Sequence, residues 1–555
     1  MRSSSQLALL ILLSLALGMS ACNSGRRSIR GGRDGGVTSR DGGGRPCTPG
    51  DSDGDGIADS LEGAGVGNPD DDADGIPDSV EAGTAGECSP RDSDGDGTPD
   101  FQDTDSDNDG VLDADEVAHG TDPTNPDTDS DGFTDLVEIT AGTNPTDPTS
   151  MVAPTDYFVV LPYNGDHVPR LLRFGTNVSK ADVYFLIDTT GSMGVPIANV
   201  QASLTRISSE ISVRISNVAM GVGHHEDFPF GSLDDYYYSG EPWYGDAGDV
   251  AYENVHVISE VLSDTQTALN SLVLGNGADD SEAQVEALYQ TATGVGGYWS
   301  HTGSYSGTRT FSLPPGFCPA VPDEPAPRRG YPCFRPGSLP IVVLVTDIDW
   351  HNGPDNFDPY TGVSPTAPHS FDDAAAALNA IGARFIGVSI GGGGRTPAEA
   401  MARATGSVDA SGTPLVYDSA GGEVSDAIIT GIETLVGGTP QDVSTRTENV
   451  AGNPDGFDAT LFIKSIVPVE GYGPAGEIGP IPGVTYTSKD ATTFYQVIPG
   501  TQVEFTIDFW NDARPTPTHT EIHQAKIVVV GNGVADLDFR NVYIVVPPEG
   551  GVILI

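Results

Sequence analysis

The sequence predicts a multidomain fold: an acidic arm of repeated loops, a doubly wound α/β domain and a C-terminal β-sandwich. Three observations predict it. Between residues 51 and 150 a twelve-residue acidic pattern recurs five times, always with glycine at the same phase. From 181 to 437, continuous apolar runs alternate with stretches whose apolar residues recur every three and four positions, as buried parallel strands alternate with the helices that cover them. After 440 the pattern turns to strict alternation. Val503, Phe505, Ile507 and Phe509 are interleaved with Glu504, Thr506 and Asp508, the mark of a half-buried antiparallel strand.

A chain of 555 residues has room for three to four modules of about 150 residues each. Its 37% apolar content supports globular cores but not a multi-span membrane protein. A net charge of −53 disfavours nucleic acid or an anionic surface as the main partner and favours bound cations. Residues 1–22 read as an export signal: Arg2 supplies the positive charge, and the apolar run Leu7 to Leu17 is too short to span a bilayer. Gly18, Ser20 and Ala21 before Cys22 resemble the lipobox of bacterial lipoproteins, with Met19 in the usual place of leucine. That resemblance implies a lipidated Cys22, and hence a membrane contact through acyl chains only. Of the five cysteines, Cys47 and Cys88 flank the first acidic repeats and Cys318 and Cys333 bracket one loop. Two disulfides and one lipidated cysteine then account for all five, as expected in an oxidising compartment.

Residues 23–46 are Gly, Ser and Arg with few apolar residues, a flexible tether. Residues 47–150 form the arm, with 30 acidic residues between 51 and 150. Each repeat sets oxygen ligands at loop positions 1, 3, 5, 9 and 12: Asp51, Asp53, Asp55, Asp59 and Glu62; Asp70, Asp72, Asp74, Asp78 and Glu81; Asp92, Asp94, Asp96, Asp100 and Asp103; Asp105, Asp107, Asp109, Asp113 and Glu116; Asp127, Asp129, Asp131, Asp135 and Glu138. Calcium takes six to eight hard oxygens, and glycine at position 6 permits the turn that wraps the loop around it. A disordered acidic linker has no need of glycine at one phase, and the Gly/Pro-rich residues before each loop leave no incoming helix for a helix–loop–helix sensor. The repeats, including GTDPTNPDTDSDG at 120–132, resemble thrombospondin type 3 repeats. The resemblance implies a calcium-filled, helix-poor cord whose core is metal rather than apolar side chains, acting as a spacer.

A connector at 151–180 leads to the α/β domain. Its predicted strands are Val183–Ile187, Ala219–Val222, Ile341–Val345, Phe385–Ile390 and Leu415–Tyr417. A helix is predicted through Ile197, Val200, Leu204, Ile207 and Ile211, with others near 282–292, 371–381, 396–404 and 423–435. Ligands of such folds bind beyond the carboxyl ends of the strands. There the first strand runs into Asp188-Thr-Thr190-Gly-Ser192, and the strand at 341–345 into Thr346-Asp347. Asp279 and Glu282 stand just before a helix. A carboxylate and two hydroxyls at alternate positions can converge on one hard cation. This pattern resembles a von Willebrand factor type A domain with a metal-ion-dependent adhesion site, in the integrin β-subunit version. The resemblance implies a magnesium or manganese ion on Asp188, Thr190, Ser192, Glu282 and Asp347. It also implies an auxiliary calcium on Asp227, Asp279 and Glu282, with Gly277 where that subgroup has asparagine. Asp188 is expected at the rim, so that Asp188→Ala removes the metal without unfolding the domain.

His224 and His225 are expected in structural roles; the sequence has no HExxH, GxSxG or P-loop. Residues 296–338, rich in Gly and Pro, read as a surface insert closed by Cys318 and Cys333. Residues 440–555, with strands at Lys526–Val530 and Asn541–Val546, read as an immunoglobulin-like β-sandwich. The expectation is a non-enzymatic, lipid-anchored protein of the outer membrane or cell surface whose head binds a protein ligand offering an acidic side chain, with no nucleic acid partner. Two readings compete: an envelope structural protein with a vestigial metal site, and a non-catalytic subunit of an enzyme complex. The fold also occurs in chelatase-type machines, but these work inside the cell, which the export signal disfavours.

Overall fold

The computed structural model describes residues 50–52, 54, 56–62, 68–83, 88–322, 324, 326–420 and 422–548. The expected signal sequence with Cys22, the tether, Cys47, Asp53 and Asp55 lie outside the described residues. The described residues fall in two compact units divided after Ser106.

In the first unit, loop position 6 lies in left-handed backbone: φ is 101° at Gly56, 99° at Gly75 and 102° at Gly97, a region that a side chain disfavours. The position-9 carboxylates of Asp59, Asp78 and Asp100 close their loops by accepting the amides of Ser52, Asp71 and Ser93, each at 2.8 Å. The loops end in single turns, Asp59–Glu62, Asp78–Glu81 and Asp100–Gln102. Ile57, Ala58, Leu61, Ala82 and Phe101 cluster with Cys88, which is disulfide-bonded. A few apolar side chains thus share a core expected to be metal alone.

The second unit begins inside the fourth repeat. Gly110 and Gly132 keep the same backbone, at 97° and 102°. The helices after them, Asp113–His119 and Asp135–Ala141, run two turns and end on left-handed Gly120 and Gly142, so this part of the arm is more helical than the resemblance implies. Val111, Leu136 and Ile139 pack on Val160, Ile522 and Val545. These repeats are therefore seated on the sheet described next, not strung clear of it.

The segment 151–180, expected as a connector, carries two strands. Asp156–Val160 pairs in parallel with Ala535–Val546 at the edge of a six-stranded sheet. Val168–Phe174 pairs with Gln502–Phe509 in a three-stranded sheet. The apolar faces of the two sheets meet, with the rings of Phe494 and Phe505 5.3 Å apart. The α/β domain is therefore inserted between strands of one two-sheet body.

The sheet of the α/β domain has the order Val416–Ser419, Arg384–Ile390, Leu339–Thr346, Lys180–Asp188, Asn217–His225, Glu253–Ser259. All neighbours are parallel except the last, which is antiparallel. Alternate residues serve opposite faces, as a period of two requires. Val183, Phe185 and Ile187 meet the helices Gly194–Ser212 and Val424–Gly438. Tyr184 and Leu186 meet Gln284–Thr293, Phe371–Ala380 and Arg395–Ala404. The antiparallel edge and the helix Leu262–Ser271 were not expected. Nor was the hairpin Gly297–Gly303/Gly307–Leu313, which opens the insert and buries Trp299 against Phe228. Cys318 and Cys333 are disulfide-bonded. Among the described residues no helix is long and apolar enough to cross a membrane.

Candidate metal centres

In several of the acidic loops a backbone amide takes one oxygen of a carboxylate and leaves the other without a hydrogen bond. Oδ1 of Asp74 accepts the Ile76 amide at 2.7 Å, that of Asp129 the Asp131 amide at 3.1 Å and that of Asp131 the Phe133 amide at 2.9 Å. Their Oδ2 atoms are buried without a hydrogen bond, as are both oxygens of Glu116 and Oε2 of Glu138. Asp70, Asp72 and Asp74 bring ligand oxygens within 4.8 Å of one another, and so do Asp92, Asp94 and Asp96. Burial, and then the charges of Asp107 and Asp109, push Glu116 up to about 9; burial, with Asp129 and Asp131, pushes Glu138 up to about 7. Burial pushes Asp103 and Asp109 up to about 6. Buried, orphaned and mutually repelling oxygens at this spacing fit a hard divalent cation, which satisfies the oxygens and cancels the repulsion.

The α/β domain gathers a second set of carboxylates where its strand order reverses, at the carboxyl ends of Lys180–Asp188 and Leu339–Thr346. Asp188 is fully buried, not at the rim as expected. Its Oδ1 accepts the Thr190 amide at 2.9 Å and the Thr190 hydroxyl at 2.7 Å; its Oδ2 accepts the Thr346 hydroxyl at 2.8 Å. Thr346 in turn accepts from Gln284 at 3.1 Å. Burial pushes Asp188 upward despite these bonds. Asp347 is also raised by burial, against the lowering influence of the nearby Ser192 hydroxyl. Gly393 lets the loop after Arg384–Ile390 lie on this turn, since a Cβ there would stand 1.7 Å from the Asp347 carbonyl oxygen.

Glu282 comes to the same place through a short parallel pairing in which it faces Trp350. It is 3% exposed, and its Oε2 has no hydrogen bond. Burial, followed by the charges of Asp227, Asp188, Asp279 and Asp249, pushes it up to about 11. Its carboxylate fills the space beside Gly277, where a Cβ would lie 2.3 Å from Oε1. A cleft of about 410 Å³, lined by Thr190, Ser192, Asp279, Glu282 and Asp347 among others, opens over the group. Four of the five residues named for the adhesion-type site thus line one cleft, with Asp188 buried beneath Thr190, and the acidic, hydroxyl-rich donor set fits a hard cation.

The residues named for the auxiliary calcium are arranged differently from the expectation. Asp227 and Asp279 are joined by His351, whose Nε2 lies 3.3 Å from Asp227 Oδ2 and 3.2 Å from Asp279 Oδ2. Tyr360 donates to Asp227 Oδ1. Sequence reasoning missed His351, Tyr360, Thr346 and also Glu226, which is buried and accepts the Thr189 hydroxyl at 2.9 Å. The signal that could have found them was density of polar residues: HHEDF at 224–228 and TDIDWHN at 346–352 both follow central strands. His225 is fully buried and held down to about 3 by that burial, while His224 bonds the Thr189 hydroxyl at 2.8 Å and faces Glu253 at 3.3 Å.

Residues 105–126 and 127–148 match the bacterial TSP3 repeat family. No curated protein matches the chain. Among solved structures it is similar to a von Willebrand factor type A protein from Catenulispora acidiphila, 12% identical, covering 70% of this chain and 72% of that one at a TM-score of 0.27. It is also similar to proximal thread matrix protein 1 from the mussel byssus, 13% identical, covering 49% of this chain and 50% of that one at a TM-score of 0.26. A third is the pilus adhesin SpaC from Lactobacillus rhamnosus GG in its open conformation, 12% identical, covering 68% of this chain and 45% of that one at a TM-score of 0.26. The chain spans half or less of the length of the last two. It is multidomain, with bacterial TSP3 repeats at 105–148 ahead of an α/β domain.

Proposed function

We propose that this chain is a lipid-anchored cell-envelope protein whose α/β head binds a partner protein in a divalent-cation-dependent way, with calcium-loaded repeats as the spacer between anchor and head. The observation that carries the reading is one open cleft at the strand ends lined by Glu282, Asp347, Thr190 and Ser192, with the buried Asp188 bonded to the Thr190 hydroxyl beneath it. These five residues would hold magnesium or manganese. Bound there, the ion supplies an open coordination position that a partner's Asp or Glu can fill. The chain's own residues orient the site. Thr346 and Thr190 fix the Asp188 carboxylate, and Ser192 and Asp347 share the lining of the cleft. The charges of Asp227 and Asp279 lie behind Glu282 and favour a cation in the cleft over an anion.

The role is binding, not catalysis. His224 and His225 are engaged with Thr189, Glu253 and the domain interior, and the export signal and repeats agree with a surface location. A net charge of −53 keeps nucleic acid out of the partner list. The test is capture of envelope and extracellular proteins on the immobilised full chain, in magnesium and in EDTA, with Asp188→Asn beside the wild type. A protein retained in magnesium and released both by EDTA and by Asp188→Asn supports the reading. The same protein held equally in all three conditions overturns it.

A further inference from the structure

We infer that Asp227, Asp279 and His351 form a separate cation site in the head, and that it takes a zinc-class transition metal in place of calcium. The first argument is the orientation of the ring. His351 is 1% exposed. Its Nδ1 lies 2.8 Å from the Asp358 carbonyl oxygen, which can only accept. Nδ1 therefore carries the proton, and Nε2 is aimed at two carboxylates. A ligating histidine is held this way, with its outer N–H on a carbonyl or carboxylate and its inner lone pair on the metal. The side chain of Asp358, 3.3 Å from the same nitrogen, reinforces the arrangement.

The second argument is distance. A charge-assisted N–H···O bond draws its atoms to about 2.7–2.9 Å. Here Nε2 stands 3.3 Å from Asp227 Oδ2 and 3.3 and 3.2 Å from the two oxygens of Asp279. Bonds of about 2.0–2.2 Å from one tetrahedral ion would set neighbouring ligand atoms about 3.3–3.5 Å apart. The three residues bring ligand atoms within 4.8 Å of one another.

The third argument is the unused oxygens. Asp227 is fully buried; its Oδ1 is taken by the Phe228 amide at 2.6 Å and by Tyr360, while its Oδ2 has no hydrogen bond and faces His351. The buried Oε2 of Glu282 also has none. Asp279, with a side chain 33% exposed, leaves the group open towards the cleft.

The choice of metal follows from the nitrogen. Calcium binds oxygen ligands, whereas imidazole suits zinc, copper, iron and nickel. Calcium at this position, implied by resemblance, would meet a nitrogen and find no side chain at Gly277.

The inference stands apart from the adhesion-type reading, and one experiment separates the two. The untagged full chain is stripped with chelator and returned to saturating calcium and magnesium, so that the repeats and the Asp188 group are filled. Zinc is then titrated calorimetrically. One tight equivalent is expected in the wild type and in Asp188→Asn, weakened roughly 100-fold or more in His351→Gln and Asp279→Asn. Cobalt in place of zinc should give visible absorption that His351→Gln abolishes. No tight zinc equivalent in the wild type, or equal zinc affinity in wild type and His351→Gln, overturns the proposal and leaves His351 as an ion-pair partner. If His351→Gln does not fold, the partly exposed Asp279→Asn decides by the same criterion. Loss of partner capture in Asp188→Asn with zinc binding intact would bear on the adhesion-type site alone.

Discussion

Asp188→Asn should invert the order of head stability between chelator and magnesium. The carboxylate it replaces is fully buried and accepts three hydrogen bonds, two from Thr190 and one from Thr346. An asparagine keeps the shape. Its oxygen can retain both Thr190 donors, and its amide can take the place of the Ile348 amide, the longer at 3.3 Å of the two donors that the Thr346 hydroxyl already accepts. Alanine would instead strand buried donors at about 1–3 kcal/mol each, so Asp188→Ala confounds folding with metal binding. Burial raises the Asp188 pKa. A group raised on folding stabilises the fold in acid and loses that contribution as pH rises. At neutral pH without metal, Asp188 is therefore a cost that asparagine removes, and in EDTA the variant should melt at or above the wild type. Magnesium at about 100 times its dissociation constant adds about 2.7 kcal/mol to the wild type alone. At about 2–4 °C per kcal/mol for a domain of this size, the wild type should gain about 5–11 °C. Tryptophan fluorescence reads the head, because three of the four tryptophans, Trp243, Trp299 and Trp350, lie in it. An equal magnesium shift in both proteins, or a variant that melts well below wild type in EDTA, would refute the reasoning.

The other predictions concern the repeats and the buried histidine. Glu116, Glu138 and Asp109 are pushed up to about 9, 7 and 6, so in chelator residues 107–148 should lose protection against proteolysis as pH rises from 5 to 9; calcium should flatten that profile, and an unchanged profile would count against metal in these loops. Gly132 has φ 102°, and nothing lies within 4 Å of where a Cβ would stand, so Gly132→Ala should cost only about 1–3 kcal/mol of backbone strain and weaken calcium binding in its own loop, seen as one altered site by calorimetry. Leu136→Ala should cost about 2–5 kcal/mol locally and expose residues 127–148 to protease without moving the head's melting point. His225 is held down to about 3; its contribution to stability is present above the ordinary value of about 6.5 and lost as pH falls, by about 1.4 kcal/mol per unit, so His225→Phe should flatten the acid limb of a stability profile.

What the sequence disclosed depended on whether the governing interaction was local. The glycine phase of the repeats was legible because loop geometry is set within twelve residues, and Gly56, Gly75, Gly97, Gly110 and Gly132 all adopt φ near 100°. The parallel strands were legible because both faces are covered, which leaves continuous runs such as Val183 to Ile187. The edge strand Glu253–Ser259 has one covered side and a half-polar sequence, so its pattern is broken. The strands inside 151–180 were missed because their partners lie far along the chain: Arg173 bonds Glu504 across 331 residues. No local period reports such a pairing.

The same distinction separates the two groups of carboxylates in the head. Asp188, Thr190 and Ser192 lie within one turn, and their alternate spacing already implies convergence. His351 acquires its role only because Asp279, 72 residues earlier, and Asp227 on a third loop are folded onto its Nε2. A spacing motif can place the carboxylates of one loop, but it says nothing of a side chain that a distant segment brings to them. Gly277 makes the point from the other side. It offers no side-chain oxygen, and the Glu282 carboxylate occupies the space beside it. With glycine at 277 and the imidazole nitrogen of His351 beside Asp227 and Asp279, the group offers mixed nitrogen and oxygen donors, and donor hardness governs which cation a site prefers. The part of the head that sequence spacing could not disclose is therefore the cluster whose side chains come from three separate loops.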